Sequence, residues 1–295
     1  MKETRVVKST QSRRELLHLA GVGATVSLVE TSGIFRHHAQ AAAPVSHQRS
    51  NKAEFELGLA SYTLRELDLD DTVVTAKRLA LRHIAFKSFH LPLESSREYI
   101  EQVARKVKEA GLDLYGASVV YMNNESQVEQ AFNYAAAAGM RVIIGVPRPN
   151  LLPLVESKVK QYDIKVAIHN HGPGDKVYPL PETVYEKVRG LDERIGLCID
   201  IGHTTRAGGD PSACIREFAD RLYDVHVKDV SAATPTGRDV EVGRGVIAIP
   251  EILRTLVAIN YSGVVAFEYE KDAQDPVPGL AESVGFVRGV LATII

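Results

Sequence analysis

The sequence predicts an α/β fold, specifically a closed (β/α)8 barrel. From residue 55 to the C terminus, strand-like apolar runs alternate with helix-like segments, as in successive βαβ units. The 295 residues provide eight segments of each kind, the number that closes such a barrel. Each of the last four strand-like runs ends on histidine or carboxylate side chains. A barrel brings those strand ends together on one face.

Apolar, β-branched runs bounded by turn residues define the strands, and glycine and proline residues at the boundaries define the helices. The predicted strands are Phe55–Ala60, His83–Phe89, Leu112–Tyr121, Met140–Val146, the run within Val166–Asp175 that ends in His169 and His171, Gly196–His203, Tyr223–Asp229 and Gly263–Tyr269. The predicted helices are Leu69–Leu81, Ser96–Ala110, Glu125–Ala138, Leu151–Tyr162, Pro181–Val188, Pro211–Phe218, Ile249–Ile259 and Leu280–Leu291. The alternative is an open doubly wound sheet, which needs a glycine-rich phosphate turn after the first strand. Ser61 to Arg65 contains no glycine.

The N-terminal residues predict an export signal. Arg13 and Arg14 precede a mildly apolar run and the small-residue sequence Ala39-Gln40-Ala41. That order is typical of a twin-arginine signal with its cleavage site. We therefore expect a signal over residues 1–41, a linker over 42–54, a barrel over 55–295, and an exported, periplasmic protein. An amphipathic N-terminal helix with a basic start is the alternative.

The bulk composition restricts the partners. The chain is 45% hydrophobic and 24% charged, and its formal net charge is -2. This balance does not provide the excess of positive charge that is typical of proteins that bind nucleic acid or an anionic membrane surface. Beyond the N terminus we find no segment that resembles a membrane span of ~20 apolar residues. We expect a small-molecule ligand, and the composition is compatible with a homo-oligomer.

The residues at the ends of the last four strands predict a metal site. Alternate residues of a strand share a face, so each strand end presents a pair of side chains to one side. Nitrogen and oxygen ligands in a mixed set suit a divalent ion such as Mn, Zn or Co. The pairs are His169 with His171, His226 with Lys228, and Glu268 with Glu270, and the remaining strand-like run contributes Asp200 and His203.

Five motifs resemble the xylose-isomerase-like TIM-barrel superfamily. They read I-H-N-H-G-P, C-I-D-I-G-H-T-T-R-A-G-G-D-P, D-V-H-V-K-D, V-G-R-G and F-E-Y-E, and the resemblance they carry covers Phe55 to Ile295. The superfamily includes sugar and sugar-phosphate isomerases and epimerases, inosose dehydratases and apurinic-site nucleases of the endonuclease IV type. The resemblance implies that Asp200, His226 and Glu268 are metal ligands.

Two positions depart from the motifs of the superfamily. Its strand-five ligand is commonly a glutamate, whereas this chain has His169, with His171 two residues on. Either histidine fits as the fourth ligand, and we assign His169. Endonuclease members carry an aspartate and a histidine before the V-G-x-G-like turn; Asp239 matches the first, but Glu241 replaces the second. That replacement and the charge balance argue against a three-zinc nuclease.

The resemblance implies a divalent-metal-dependent sugar isomerase or epimerase that acts through an enediolate. Glu268, Lys228 and His171 are the candidates for proton transfer, although Lys228 could instead form a salt bridge with Asp229 or Asp200. The alternative reaction is β-elimination by a lyase or dehydratase acting on 3-keto-sugars or their glycosides. The missing strand-five glutamate favours that alternative. A non-catalytic sugar-binding barrel is a third hypothesis.

Further polar residues at strand ends and in loops are candidates for substrate binding. His203 could equally cap a helix, Arg206 could pair with Asp210, and Glu241 could be an exposed loop charge. The candidates are His203, Arg206, Glu241, Tyr62, Arg65 and His90, with Lys87 as a further wall residue.

Overall fold

In the computed structural model, residues 53–295 are described, and within them eight parallel strands close into a barrel. The predicted signal and nearly all of the predicted linker lie outside these residues. The barrel strands are β1 (Glu56–Ala60), β2 (His83–Phe86), β3 (Asp113–Met122), β4 (Val142–Pro147), β5 (Lys165–His169), β6 (Ile195–Asp200), β7 (Leu222–Val227) and β10 (Val264–Phe267). β10 pairs with both β7 and β1, which closes the barrel. The fold prediction is confirmed.

Helices surround the barrel and follow local sequence signals. They are α1 (Leu69–Arg78), α2 (Arg97–Glu109), α3 (Glu125–Ala138), α4 (Leu152–Tyr162), α5 (Pro181–Val188), α6 (Ile201–Arg206), α7 (Pro211–Glu217), α8 (Ile249–Ala258) and α9 (Val277–Ile294). The side chains of Ser96 and Asn124 accept hydrogen bonds from first-turn backbone N–H groups of α2 and α3. Gly139 ends α3 with a φ of 69°, a left-handed conformation that glycine adopts without strain.

The structure corrects the sequence prediction in three places. The second strand ends at Phe86 rather than Phe89, because the N–H of Lys87 donates to the Ser61 hydroxyl over 2.8 Å and the chain turns. The sixth strand ends at Asp200, whose carboxylate accepts the N–H of His203 and so starts the unpredicted helix α6. An unpredicted antiparallel hairpin, β8 (Asp229–Val230) with β9 (Asp239–Val240), follows β7.

Strand alternation determines which side chains point into the barrel. Ala167 on β5, Cys198 on β6 and Ala266 on β10 belong to one buried interior cluster. The residue two positions later on each strand therefore faces inward at the C-terminal end of the barrel. These positions hold His169, Asp200 and Glu268, and all three side chains are buried.

The last helix, α9, is the longest and is strongly apolar. By length and composition alone it could cross a membrane. The sequence analysis predicts no such segment beyond the N terminus. Leu280, Val284 and Val287 on this helix belong to the main hydrophobic core.

Asp229 anchors the loop that follows β7. One carboxylate oxygen accepts the N–H groups of Val230 and Ile247, at 2.8 and 3.2 Å. The other accepts those of Gly243 and Gly245, at 2.9 and 3.0 Å. The side chain is fully buried, so these four donors take the place of water. One residue thus fixes the loop beside Lys228.

We expect Asp229→Asn to lower the free energy of unfolding by about 2 kcal/mol, because an amide offers one acceptor where the carboxylate offers two. Urea denaturation would measure this loss. Asp220→Asn is the control, since Asp220 is exposed and contacts Arg221 only at 3.9 Å. A loss for Asp229→Asn no larger than that of the control would contradict this role.

Candidate metal centre

Four buried side chains meet at the C-terminal end of the barrel. His169 Nε2 lies 3.1 Å from His226 Nδ1, 3.6 Å from Asp200 Oδ2 and 3.8 Å from Glu268 Oε2. His226 Nδ1 lies 3.1 Å from Glu268 Oε2. The four potential ligand atoms all lie within 4.8 Å of one another. These are the four residues that the sequence assigns to the metal.

The arrangement fits a divalent ion. Ligands about 2.1 Å from a tetrahedral metal are separated by roughly 3.4 Å, which matches the observed spacings. Asp200 Oδ2 is buried and makes no hydrogen bond of good geometry, although the Lys228 ammonium forms an ion pair with it at 3.1 Å; Nδ1 of His169 is also buried without a hydrogen bond. Such an oxygen is costly to bury unless something else, such as a cation, satisfies it. Two imidazoles and two carboxylates also form the mixed nitrogen and oxygen set that suits Zn, Mn or Co.

The structure distinguishes the two histidines of the fifth strand. His169 is the last residue of β5 and lies in the cluster. His171 lies beyond the strand, where its backbone N–H donates to Tyr178 O. Its Nε2 lies 3.0 Å from the Tyr121 hydroxyl, and its ring is only partly buried. His171 therefore belongs to the pocket wall.

Asp224 supports His226 from below, and the sequence analysis did not identify it. Asp224 Oδ1 lies 3.5 Å from His226 Nε2, and Ser118 Oγ lies 3.4 Å from the same nitrogen. Contacts of this kind hold the imidazole so that Nδ1 faces the cluster. A signal was present, since Asp224 precedes His226 by two residues and so shares its strand face.

Burial and neighbouring charges separate the pKa values of the histidines. Burial alone would lower the pKa of His226, but the carboxylate of Glu268 raises it to about 9. For His169, burial outweighs its contact with Asp200 and lowers the pKa to about 4. Burial likewise lowers the pKa of His203 to about 4. Without a metal ion, His226 is therefore the protonated member of the cluster at neutral pH.

Lys228 approaches the cluster from the same strand as His226. Its ammonium lies 3.1 Å from Asp200 Oδ2 and 3.1 Å from Glu268 Oε2, and it also forms an ion pair with Glu270. Burial opposes its charge, but the surrounding carboxylates hold its pKa well above the usual value. The salt bridge with Asp200 that we considered is present, and Asp229 is engaged with the loop instead.

A pocket of about 320 Å³ opens above the cluster. It brings together His169 and Glu268, two of the candidates for substrate binding, Tyr62 and His203, and the proton-transfer candidate His171. The expected wall residue Lys87 also lines it, and its Nζ donates to Val119 O over 2.5 Å. The remaining lining residues are Glu270, which the sequence analysis pairs with Glu268, and Val119 and Tyr121, which it does not identify.

Other candidates for substrate binding lie outside this lining. His90 is corrected: it is buried and contacts Thr72 Oγ1, Ser61 Oγ and Leu67 O, because the chain turns away after Phe86. Arg65 donates to Tyr62 O and Glu270 O and so supports two wall residues from behind.

The two loop candidates also lie elsewhere. Arg206 donates to Pro235 O, at 3.3 Å, whereas the Asp210 carboxylate accepts the N–H groups of Ser212 and Ala213 at the start of α7. Glu241 is not an exposed charge, because its carboxylate accepts hydrogen bonds from Tyr269 and Lys271 and is buried.

The family model for the xylose isomerase-like TIM barrel matches residues 65–290 of this chain. The chain belongs to this family. The matched range contains the four residues of the cluster and all the pocket residues except Tyr62.

Two curated proteins and one crystal structure illustrate what this family member is similar to. It is 24% identical to a putative L-ribulose-5-phosphate 3-epimerase, SgbU, of Escherichia coli over 200 residues, which is 62% of this chain and 61% of that protein. It is 29% identical to the inosose dehydratase of Bacillus velezensis over 129 residues, 38% of this chain and 42% of that protein. The matches thus span less than two thirds of either relative.

The crystal structure is that of the IOLI protein with a bound zinc atom. It superimposes with a TM-score of 0.69 at 15% identity and covers 82% of this chain and 99% of that one. At this identity the likeness supports the shared fold of the family.

In the metal-free protein, folding and the protonation of His226 are linked. The folded pKa of about 9 lies above the unfolded value near 6.5. Protonation therefore stabilises the fold fully below about pH 6.5, and this contribution is lost as the pH rises through about 9. We expect the thermal midpoint of chelator-treated protein to fall across this range, and His226→Gln to remove most of the slope.

The matched control is His203→Gln. Its folded pKa of about 4 lies below the range, so the slope between pH 6.5 and 9 should remain. Circular dichroism melts at several pH values would measure all three proteins. An unchanged slope in His226→Gln would contradict the assignment of the raised pKa.

Proposed function

We propose that the protein is a divalent-metal-dependent sugar isomerase or epimerase. The observation that carries the proposal is the position of the His169, Asp200, His226 and Glu268 cluster at the base of an open pocket. Proton-transfer groups line the same pocket. A metal ion held by these four residues would supply Lewis-acid polarisation of a substrate carbonyl, which acidifies the neighbouring carbon.

The pocket side chains then have distinct tasks. Glu268 lines the pocket, and its contacts with Lys228 and His226 hold its pKa well below the usual value despite burial, so the carboxylate is charged and able to accept a proton. His171 also lines the pocket and contacts the Tyr121 hydroxyl. Burial lowers the pKa of His171, which leaves the imidazole neutral and able to accept or relay a proton.

Proton return determines the product. Delivery to the adjacent carbon gives isomerisation, and delivery to the opposite face of the original carbon gives epimerisation. The volume of about 320 Å³ suits a small carbohydrate or cyclic polyol. The similarity to an epimerase and to a dehydratase supports a substrate of this class.

The second candidate function is a lyase that eliminates a β-leaving group from a 3-keto-sugar or its glycoside. The observation that favours it is the presence of His169 where the superfamily commonly has a glutamate. His169 lies within the cluster in place of a second glutamate. Of the two cluster carboxylates, Glu268 lines the pocket. A single carboxylate base suffices for elimination, whereas epimerisation needs a second proton-transfer group.

Proton exchange with solvent tests both reactions. The Mn-, Zn- and Co-loaded proteins are incubated in deuterated water with a panel of keto-sugars, 3-keto-glycosides and keto-cyclitols. NMR and mass spectrometry then follow deuterium incorporation next to the carbonyl. An isomer with deuterium supports the isomerase or epimerase, and a product lacking water or the glycosidic group supports the lyase. Binding without any exchange would support a non-catalytic sugar-binding barrel and overturn the proposal.

We expect His171→Asn to reduce deuterium exchange by about 10²-fold or more, because the variant loses a proton-transfer group. Metal content should stay at the parent level, since His171 lies outside the cluster. Tyr121→Phe is the matched variant: it removes the hydroxyl that contacts His171 and should have a smaller effect. Full exchange activity in His171→Asn would exclude its catalytic role.

A further inference from the structure

Lys228 occupies an unusual position for a lysine. Its side chain is 1% exposed, and its ammonium lies among three carboxylates, those of Asp200, Glu268 and Glu270. The stem of the side chain packs against Gly202, where an added Cβ would lie 2.8 Å from its Cγ. The absence of a side chain at Gly202 thus gives the lysine its path to the cluster.

The ammonium contacts the same oxygen atoms that face the histidines of the cluster. Asp200 Oδ2 is 3.1 Å from Lys228 Nζ and 3.6 Å from His169 Nε2. Glu268 Oε2 is 3.1 Å from Lys228 Nζ and 3.1 Å from His226 Nδ1. A metal ion bound by these atoms would therefore be stabilised by the same two negative charges that stabilise the lysine ammonium.

The third carboxylate completes the charge balance. With a divalent cation present, Asp200 and Glu268 are neutralised by the metal, and the charge of Lys228 is balanced by Glu270 alone. Without the cation, Lys228 is the fixed positive charge that Asp200 and Glu268 share. Glu270 is partly exposed, with 30% of its side chain accessible, so it is the outer, solvent-facing partner of Lys228.

We propose that the Lys228 ammonium is a built-in competitor of the metal ion, and that the Lys228–Glu270 pair sets the affinity of the centre. The inference rests on the metal-dependent function proposed above. It makes Lys228 a positioning residue for the metal centre instead of the catalytic residue that the sequence suggests. A lysine that only contacts substrate would leave metal affinity unchanged.

The direct test is the dissociation constant for Mn²⁺, measured by electron paramagnetic resonance of the free ion with chelator-treated protein at one pH. We expect Lys228→Met to bind Mn²⁺ at least about tenfold more tightly than the parent, because a positive charge next to the ligands is removed. Lys228→Gln carries the same expectation if the methionine variant does not fold. Lys271→Met is the matched control, since Lys271 pairs with Glu241 outside the cluster and should leave the affinity unchanged.

Glu270→Gln supplies the second part of the test. In the parent background the change should weaken Mn²⁺ binding, because Lys228 loses its outer partner and interacts more strongly with the ligand carboxylates. In the Lys228→Met background the same change should have a clearly smaller effect. Equal effects in both backgrounds would overturn the coupling.

The outcomes separate this inference from the proposed function. Unchanged or weaker Mn²⁺ binding in Lys228→Met and Lys228→Gln, with normal binding in the parent, overturns the inference alone. Failure of the parent to bind Mn²⁺, Zn²⁺ or Co²⁺ contradicts the proposed function, and the inference falls with it. Thermal melts with and without Mn²⁺ give an independent readout. Lys228→Met should lower the midpoint of the metal-free protein and enlarge the rise on adding metal.

Discussion

The burial of two neighbouring carboxylates, Asp200 and Glu268, is the constraint on which the rest of the site depends. Both are almost completely removed from water at the C-terminal end of the barrel. Buried negative charges are costly unless positive charges and hydrogen-bond donors surround them. Lys228 and a protonated His226 perform this role in the metal-free protein, and a divalent cation would perform it better.

The barrel makes this concentration of charge possible. Each residue of the cluster is fixed by its own strand, and the strands are held by parallel pairing around the closed ring. Asp224 holds His226 from within the barrel, while Asp229 fixes the loop beside Lys228. The ligand atoms are therefore held in place before any ligand binds, which reduces the ordering required on binding.

Periodicity and the alternation of strand faces predict the barrel and place candidate ligands at the ends of its last four strands, and the resemblance to the superfamily selects Asp200, His226 and Glu268 among them. The sequence does not distinguish His169 from His171, since both positions share a face and the difference lies in where β5 stops. The placement of His90 fails for a related reason: one hydrogen bond from Lys87 to Ser61 ends β2 early and turns the chain.

Long-range contacts account for the remaining differences. The three carboxylates around Lys228 come from β6 and from the segment after β10, far away in sequence. No local pattern specifies that they meet. Only its distance to His226 distinguishes Asp224 from an ordinary acidic residue on a strand. The loop that Asp229 fixes depends on backbone N–H donors as far along the chain as Ile247.

The most direct test of the account is the metal content of the purified protein by elemental analysis, beside Asp200→Asn and His226→Ala. We expect about one equivalent of a divalent metal in the parent and a loss in both variants. Asp220→Asn, a surface change, should retain the parent level. Little metal in the parent after supply of Mn, Zn and Co, or full content in both variants, would contradict the assignment of the centre.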